Sequence, residues 1–303
     1  MSPSPSATGE AIEDSQRRAL RQRAEYERRL AAGENPAPLV ARIDLEELAG
    51  SERYRRVSEL EQVDQNSETC LRGQPLVFHT PSRRLLWQAL GQEYIEPELL
   101  DYIDDMEGGS VFYDIGASNG IFALYAAVTG KQVIGFEPEI ENFALLNRNT
   151  YLNRQRIAAG MSSFNIALSS QTTLGRLFIK RFEAGGHLKI LDRPVERGFE
   201  AFEPEYVQAV MKYRLDDFIR VSGIPRPNHL KIDVDGCELE VIQGMSETLA
   251  DAGLRSIFIE LEENNEQSEA CRRIIEGAGF QLAKKKRVQN YFGENNCVFR
   301  RHG

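Results

Sequence analysis

Val111-Phe112-Tyr113-Asp114-Ile115-Gly116-Ala117-Ser118-Asn119-Gly120 decides how this chain is read. An apolar strand with a carboxylate near its end passes through a glycine-containing turn into a helix predicted over Gly120 to Val128. A turn of this kind lets backbone N–H groups approach a ligand, and the helix N-terminus behind it favours negative charge. A dinucleotide fingerprint wants Gly-x-Gly-x-x-Gly around a pyrophosphate. Here position 118 is Ser, and Asp114 sets a negative charge where the pyrophosphate would come. A cationic ligand suits the segment better.

Outward from this stretch the pattern repeats. Apolar runs at Gln132 to Phe136, Phe164 to Leu168, His229 to Val234 and Ser256 to Leu261 alternate with predicted helices. Those helices are Glu139 to Asn153, Glu238 to Leu249 and Ser268 to Ala278. In the second of them, Leu239, Ile242, Met245 and Leu249 share one face, which packs on a sheet. Alternation of this kind marks an α/β domain with a parallel sheet and crossover helices. Phe280 to Lys284 and Cys297 to Arg300 read as an antiparallel edge pair, and Leu174 to Tyr213 as an insertion that shapes a substrate pocket.

Composition bounds the rest. The chain has 303 residues, a net charge of −9 and 41% apolar residues, as expected of a globular protein with a substantial core. Residues 1–14 are Ser/Pro-rich and then acidic, a predicted disordered tail. Residues 15–70 form a charged helical extension, with helices near Ser15 to Ala32, Leu39 to Leu48 and Glu52 to Val63. Residues 1–70 hold 10 Arg, no Lys and 14 acidic residues, a net charge of −4. The main α/β domain is expected over 71–303. Overall acidity disfavours a nucleic-acid partner, and the run Lys284-Lys285-Lys286-Arg287 reads as a solvated strand end. No apolar stretch has the length of a signal peptide core or a membrane span, and Cys70, Cys237, Cys271 and Cys297 have no paired spacing, so a cytoplasmic location is expected.

Two further acidic positions complete the site. Glu137 follows Gly120 by 17 residues, at the end of the next strand and before Pro138, where a ribose-binding acid belongs. Lys231-Ile232-Asp233-Val234-Asp235-Gly236 is a buried strand ending in carboxylates. Ligands of open α/β sheets bind outside the carboxyl ends of the strands, so Asp233 and Asp235 border the crevice of Asp114 and Glu137. S-adenosylmethionine fits these requirements: acids for its sulfonium and ammonium, and backbone amides of Gly116, Ala117, Ser118, Asn119 and Gly120 for its carboxylate. Asn165 and Ala167 are expected beside the adenine.

The order Asp-x-Gly-Ala-x-x-Gly, Phe136-Glu137-Pro138, Phe143, Leu146, Asn149, Asn153, Leu215-Asp216-Asp217 and Lys-x-Asp-x-Asp-Gly-x-Glu resembles the FkbM-type S-adenosylmethionine-dependent methyltransferases. Phe78, Trp87 and Glu96-Pro97-Glu98 resemble that family's lead-in, and the likeness spans roughly residues 75–300. The resemblance implies a Rossmann-like class I methyltransferase fold, with a mainly parallel seven-stranded sheet flanked by helices. It also implies methyl transfer to a hydroxyl of a sugar, glycan, polyketide or related small molecule. Asp235 departs from the family, which usually carries Glu there. A hydroxyl acceptor needs a proton acceptor. Asp233 is the first candidate, His187 in the Gly185-Gly186-His187 turn the second, and Lys231 accompanies them in the catalytic set. No metal is expected; Asp233, Asp235 and Glu260 are the one oxygen-rich alternative, and His79, His187, His229 and His302 lack ligand spacing. The rivals are a dinucleotide-dependent oxidoreductase or epimerase and a catalytically silent cofactor-binding module.

Overall fold

A computed structural model describes residues 7–36, 52–195, 201–288 and 294–301. The chain divides into two units, Met1–Gln65 and Asn66–Gly303. The first holds α1 (Ala7–Ala31) and α2 (Glu52–Glu61). Both are polar helices with exposed Arg–Glu pairs three or four residues apart, such as Arg23–Glu27 at 3.0 Å. Helix α1 begins at Ala7, inside the stretch expected to be disordered, because Ala and Glu there are good helix formers. Residues 1–6, the helix expected near Leu39 to Leu48 and His302 lie outside the described residues.

The second unit opens with a hairpin, β1 (Asn66–Leu71) and β2 (Gln74–His79), followed by α3 (Arg83–Ile95) and α4 (Pro97–Asp104). The residues up to Cys70, grouped with the extension by composition, therefore enter this unit as a strand. Next come β3 (Val111–Ile115), α5 (Ile121–Val128), β4 (Gln132–Phe136), α6 (Ile140–Asn153) and β5 (Met161–Phe164). The insertion supplies β6 (Ala167–Leu168), β7 (Thr173–Ile179), β8 (Lys189–Leu191) and β9 (Tyr206–Tyr213). The chain ends with α7 (Leu215–Ser222), β10 (His229–Ile232), α8 (Glu238–Gln243), α9 (Ser246–Ala250), β11 (Ser256–Glu262), α10 (Glu266–Gly277), β12 (Phe280–Arg287) and β13 (Glu294–Arg301).

Seven strands form the main sheet in the order β12-β13-β11-β10-β3-β4-β5. The five from β11 to β5 are mutually parallel, and β13 is antiparallel to both of its neighbours. The central strands are buried on both faces, which is why they read as continuous apolar runs. One face packs Tyr113, Ile115, Leu230 and Ile232 against α7, α8 and α10, and the other packs Phe112, Val133 and Phe258 against α4 and α5. The expected strand Phe164 to Leu168 is divided: Phe164 ends β5, whereas Ala167 and Leu168 join a second sheet ordered β6-β9-β7-β8. At the division, Asn165 Nδ2 donates to the carbonyls of Glu137 and Pro138, both at 2.9 Å.

Candidate active site

Strands β3, β4 and β10 carry their carboxyl ends to one edge, and three turns meet there. Gly116 takes φ +82°, and a Cβ on it would stand 1.9 Å from the Asp233 carbonyl oxygen, so only glycine fits between β3 and β10. The Gly116 and Ala117 amides both donate to Phe136 O, at 2.9 and 3.0 Å, and Gly120 N donates to Ala117 O. Ser118, at φ 50°, donates its amide to Glu137 Oε2 at 2.7 Å. The expectation that the whole turn cradles a carboxylate therefore narrows: four of its amides are spent within the protein, leaving that of Asn119.

Glu137 is buried and bridges two turns, its Oε1 accepting the Glu139 amide at 2.9 Å. Each carboxylate oxygen keeps a second lone pair for a ligand hydroxyl. Burial pushes Glu137 up to about 7, against the pull of those amides and of Lys189. Asp114 is deeper than its motif suggests and does not line the cleft. Lys231 Nζ stands 3.0 Å from Asp114 Oδ1 without hydrogen-bond geometry, donates to Gly116 O at 2.7 Å and lies 3.4 Å from Asp233 Oδ2. Burial works against the Lys231 charge, but the neighbouring acids, Asp114 first and then Asp233, outweigh it and hold the ammonium above the ordinary lysine range.

These parts enclose a cleft of about 250 Å³, bordered by the 116–119 turn, Glu137, Pro138, Lys231, Asp233 and Asp235. The insertion closes one side. Lys189 N donates to Asp235 Oδ2 at 2.9 Å, and the buried Lys189 ammonium pairs with Glu139 at 2.6 Å. His187 lies exposed at the rim. Helix α3 closes another side: Gln88 accepts from Asn119 Nδ2 at 2.9 Å and donates to Gly185 O at 3.0 Å. Helix α6 pins the surroundings through a row of asparagines. Asn142 accepts from Gly185 N, Asn149 joins Asn119 O to His79 N, and Asn153 holds both backbone groups of Val77.

The remaining expected residues fall elsewhere. Ala167 is buried in the second sheet, and Asn165 is committed to the 137–138 carbonyls, so neither lines the cleft. Asp216 caps α9, accepting from the amides of Glu247 and Thr248. His229 is buried at the amino end of β10, hydrogen-bonded through Nδ1 to Ser256 at 2.7 Å. Asp233, Asp235 and Glu260 do not make a metal centre; among the described residues no three Asp, Glu, His or Cys side chains converge for one. Gln88, Gln92, Glu96, Asn142 and Lys189 line the cleft without belonging to the strand-end motifs. The spacing of 88, 92 and 96, four residues apart on one helical face, is the signal that marks three of them.

The model of the methyltransferase FkbM domain matches residues 114–282. The chain belongs to the FkbM methyltransferase family. Methyltransferase 1 of Beauveria bassiana is 24% identical over 222 residues, covering 69% of this chain and 87% of the relative. The hexuronic acid methyltransferase AglP of Haloferax volcanii is 25% identical over 148 residues, covering 48% and 54%. Among solved structures, the FkbM methyltransferase of Methylobacillus flagellatus aligns with a TM-score of 0.44 at 12% identity, covering 83% of this chain and 60% of the other. The fold is the Rossmann-like class I methyltransferase fold, and the cofactor of this family is S-adenosylmethionine, which sets the dinucleotide alternative aside.

The cleft's own residues fit that cofactor. Its acids outnumber its cations, and both cations are already engaged, Lys231 by Asp114 and Asp233 and Lys189 by Glu139. A positively charged ligand is what such a balance favours. The basic run lies on β12 and is drawn into ion pairs, Lys285 with Glu263 at 2.9 Å and Lys286 with Glu98. Among the described residues no helix is long and apolar enough to cross a membrane.

Proposed function

We propose that this chain methylates a hydroxyl oxygen of a small-molecule acceptor, a sugar, glycan or polyketide-like alcohol. The observation that carries the reading is the acid-rich cleft at the carboxyl ends of β3, β4 and β10, roofed by the insertion. The bound cofactor supplies an electrophilic methyl group. Glu137 accepts hydrogen bonds from the ribose hydroxyls, the Asn119 amide faces the carboxylate, and Asp233 and Asp235 orient the ammonium. Asp114 acts from behind, fixing Lys231 and through it Asp233. Held between these groups, the acceptor oxygen is kept in line with the methyl carbon, which lowers the barrier by positioning. Among the groups available to take the hydroxyl proton, Asp233 and His187 face the cleft.

The sugar class draws support from the relative that acts on a hexuronic acid. The four cysteines, all free, favour a reducing compartment such as the cytoplasm. Two measurements test the reading. S-adenosylmethionine raises the melting temperature by ligand linkage whereas NAD does not. Incubation with labelled cofactor and cell extract yields a small molecule or glycan one methyl heavier at oxygen. Binding without any methylated product returns the catalytically silent module, and a methyl on nitrogen or carbon overturns the hydroxyl assignment.

A further inference from the structure

Gln88, Gln92 and Glu96 face the same cleft from α3 and its end, yet only the glutamines are spent. Gln88 joins Asn119 to Gly185, and Gln92 turns back on the Gln88 carbonyl. Glu96 precedes Pro97 and occupies the N-cap position of α4, where a carboxylate would normally accept an amide proton. Its side chain makes no capping hydrogen bond. Among the described residues no side-chain hydrogen bond or close ion pair engages its carboxyl. Lys231 is the cation that acts on it, but that ammonium donates to Gly116 O and is drawn to Asp114 at 3.0 Å and Asp233 at 3.4 Å.

Glu96 and Asp233 are thus two carboxyls on one cleft that differ in partnership. Asp233 has Lys231 at 3.4 Å, and an ion-paired carboxylate holds a transferred proton less well. Burial, then the Asp233 charge, pushes Glu96 up to about 8; Glu260 and Asp114 add to the push and Lys231 opposes it. Positive charge arriving at the strand ends reverses this balance.

We propose that Glu96 is a further catalytic residue: neutral in the empty cleft, it gives up its proton when the cationic donor binds, and its carboxylate then takes the proton of the acceptor hydroxyl. The inference rests on the donor reading above. In the transfer the acceptor oxygen gains the methyl carbon, the carbon–sulfur electron pair stays with sulfur, and the hydroxyl proton passes to Glu96. One positive charge is lost at sulfur and one negative charge at the carboxylate, so the balance closes without a further reactant.

Calorimetric titration of the full chain at pH 7, repeated in buffers of different ionisation heat, counts the protons released on binding. S-adenosylmethionine, a sulfonium, is compared with S-adenosylhomocysteine, a neutral thioether. The wild type is expected to release more protons with the sulfonium. That difference disappears in Glu96→Gln and persists in Glu96→Asp. A difference unchanged in Glu96→Gln overturns the proposal, whereas a wild type that binds neither ligand overturns the donor reading instead. With labelled donor and cell extract, Glu96→Gln incorporates methyl groups about 10²–10⁴-fold more slowly at saturating donor. Equal rates remove Glu96 as the proton acceptor.

Discussion

His229 and Lys231 stand two residues apart on β10, both nearly inaccessible to water, and burial has opposite outcomes for them. At the amino end His229 sits among neutral partners, with Ser256 at 2.7 Å and the Tyr102 ring edge-on at 6.4 Å between centroids. Burial lowers it to about 4, with Arg255 adding to the effect, so the ring is uncharged at neutral pH. At the carboxyl end, carboxylates surround Lys231 and keep it charged. One end of the strand is built like a core and the other as a charge-balanced floor beneath the cleft. The lesson is that depth alone does not set ionisation; the neighbours do.

Removing the floor's cation has the largest expected effect. Lys231→Met leaves Asp114 and Asp233 without their counter-ion, and an uncompensated buried charge costs about 3–5 kcal/mol. Urea unfolding measures the loss, and donor affinity falls with it. A loss below about 1 kcal/mol, the range of surface pairs, would mean that the floor is wet and weakly coupled.

His229 and Glu137, the acid that follows β4 at the same edge as Lys231, are also expected to respond to pH with opposite slopes. Glu137 is raised from its ordinary value to about 7, so the unliganded fold loses stability as pH rises through that interval, by about 3 kcal/mol in all. His229 is lowered from 6.5 to about 4, so it removes a similar amount, about 3 kcal/mol, as pH falls between those values. Unfolding free energies of Glu137→Gln and His229→Gln against pH separate the two: the first variant loses the decline seen as pH rises toward about 7, the second the decline seen as pH falls from 6.5 toward about 4. Identical profiles in both variants would erase the distinction.

The smallest effect belongs to Ser256→Ala, which removes the hydroxyl shared by His229 and Tyr102. It is expected to cost about 1–2 kcal/mol of stability and to leave the donor Kd unchanged. A weakened Kd would tie the amino end of β10 to the ligand.

The same contrast explains what the sequence discloses. Strands β3, β4, β10 and β11 are legible because burial on both faces writes them as apolar runs. Glu238 to Leu249 reads as one helix but is two: a Cβ at Gly244 would lie 2.1 Å from Ser169 O, and Asp216 caps the second helix. Neither contact is local, so periodicity cannot register them. The sheet β6-β9-β7-β8 pairs strands distant in sequence, and its exposed alternating face reads as an interruption. At the site, Glu137 and Asp233 are legible from strand-end position. The depth of Asp114 and the absence of Glu96 from the α4 cap are not, because both depend on packing between residues distant in sequence.

The close approach of Gly116 to the Asp233 carbonyl has a mechanical side. Two strand tips in such tight backbone contact have no slack to slide past one another, so the floor of the cleft behaves as a single rigid plate. Any breathing that admits a bulky acceptor falls to the opposite wall, where α3 and the 185–187 turn are joined by the amide of Gln88. Variation in acceptor choice among relatives is therefore expected to concentrate on that wall, while the plate stays as it is.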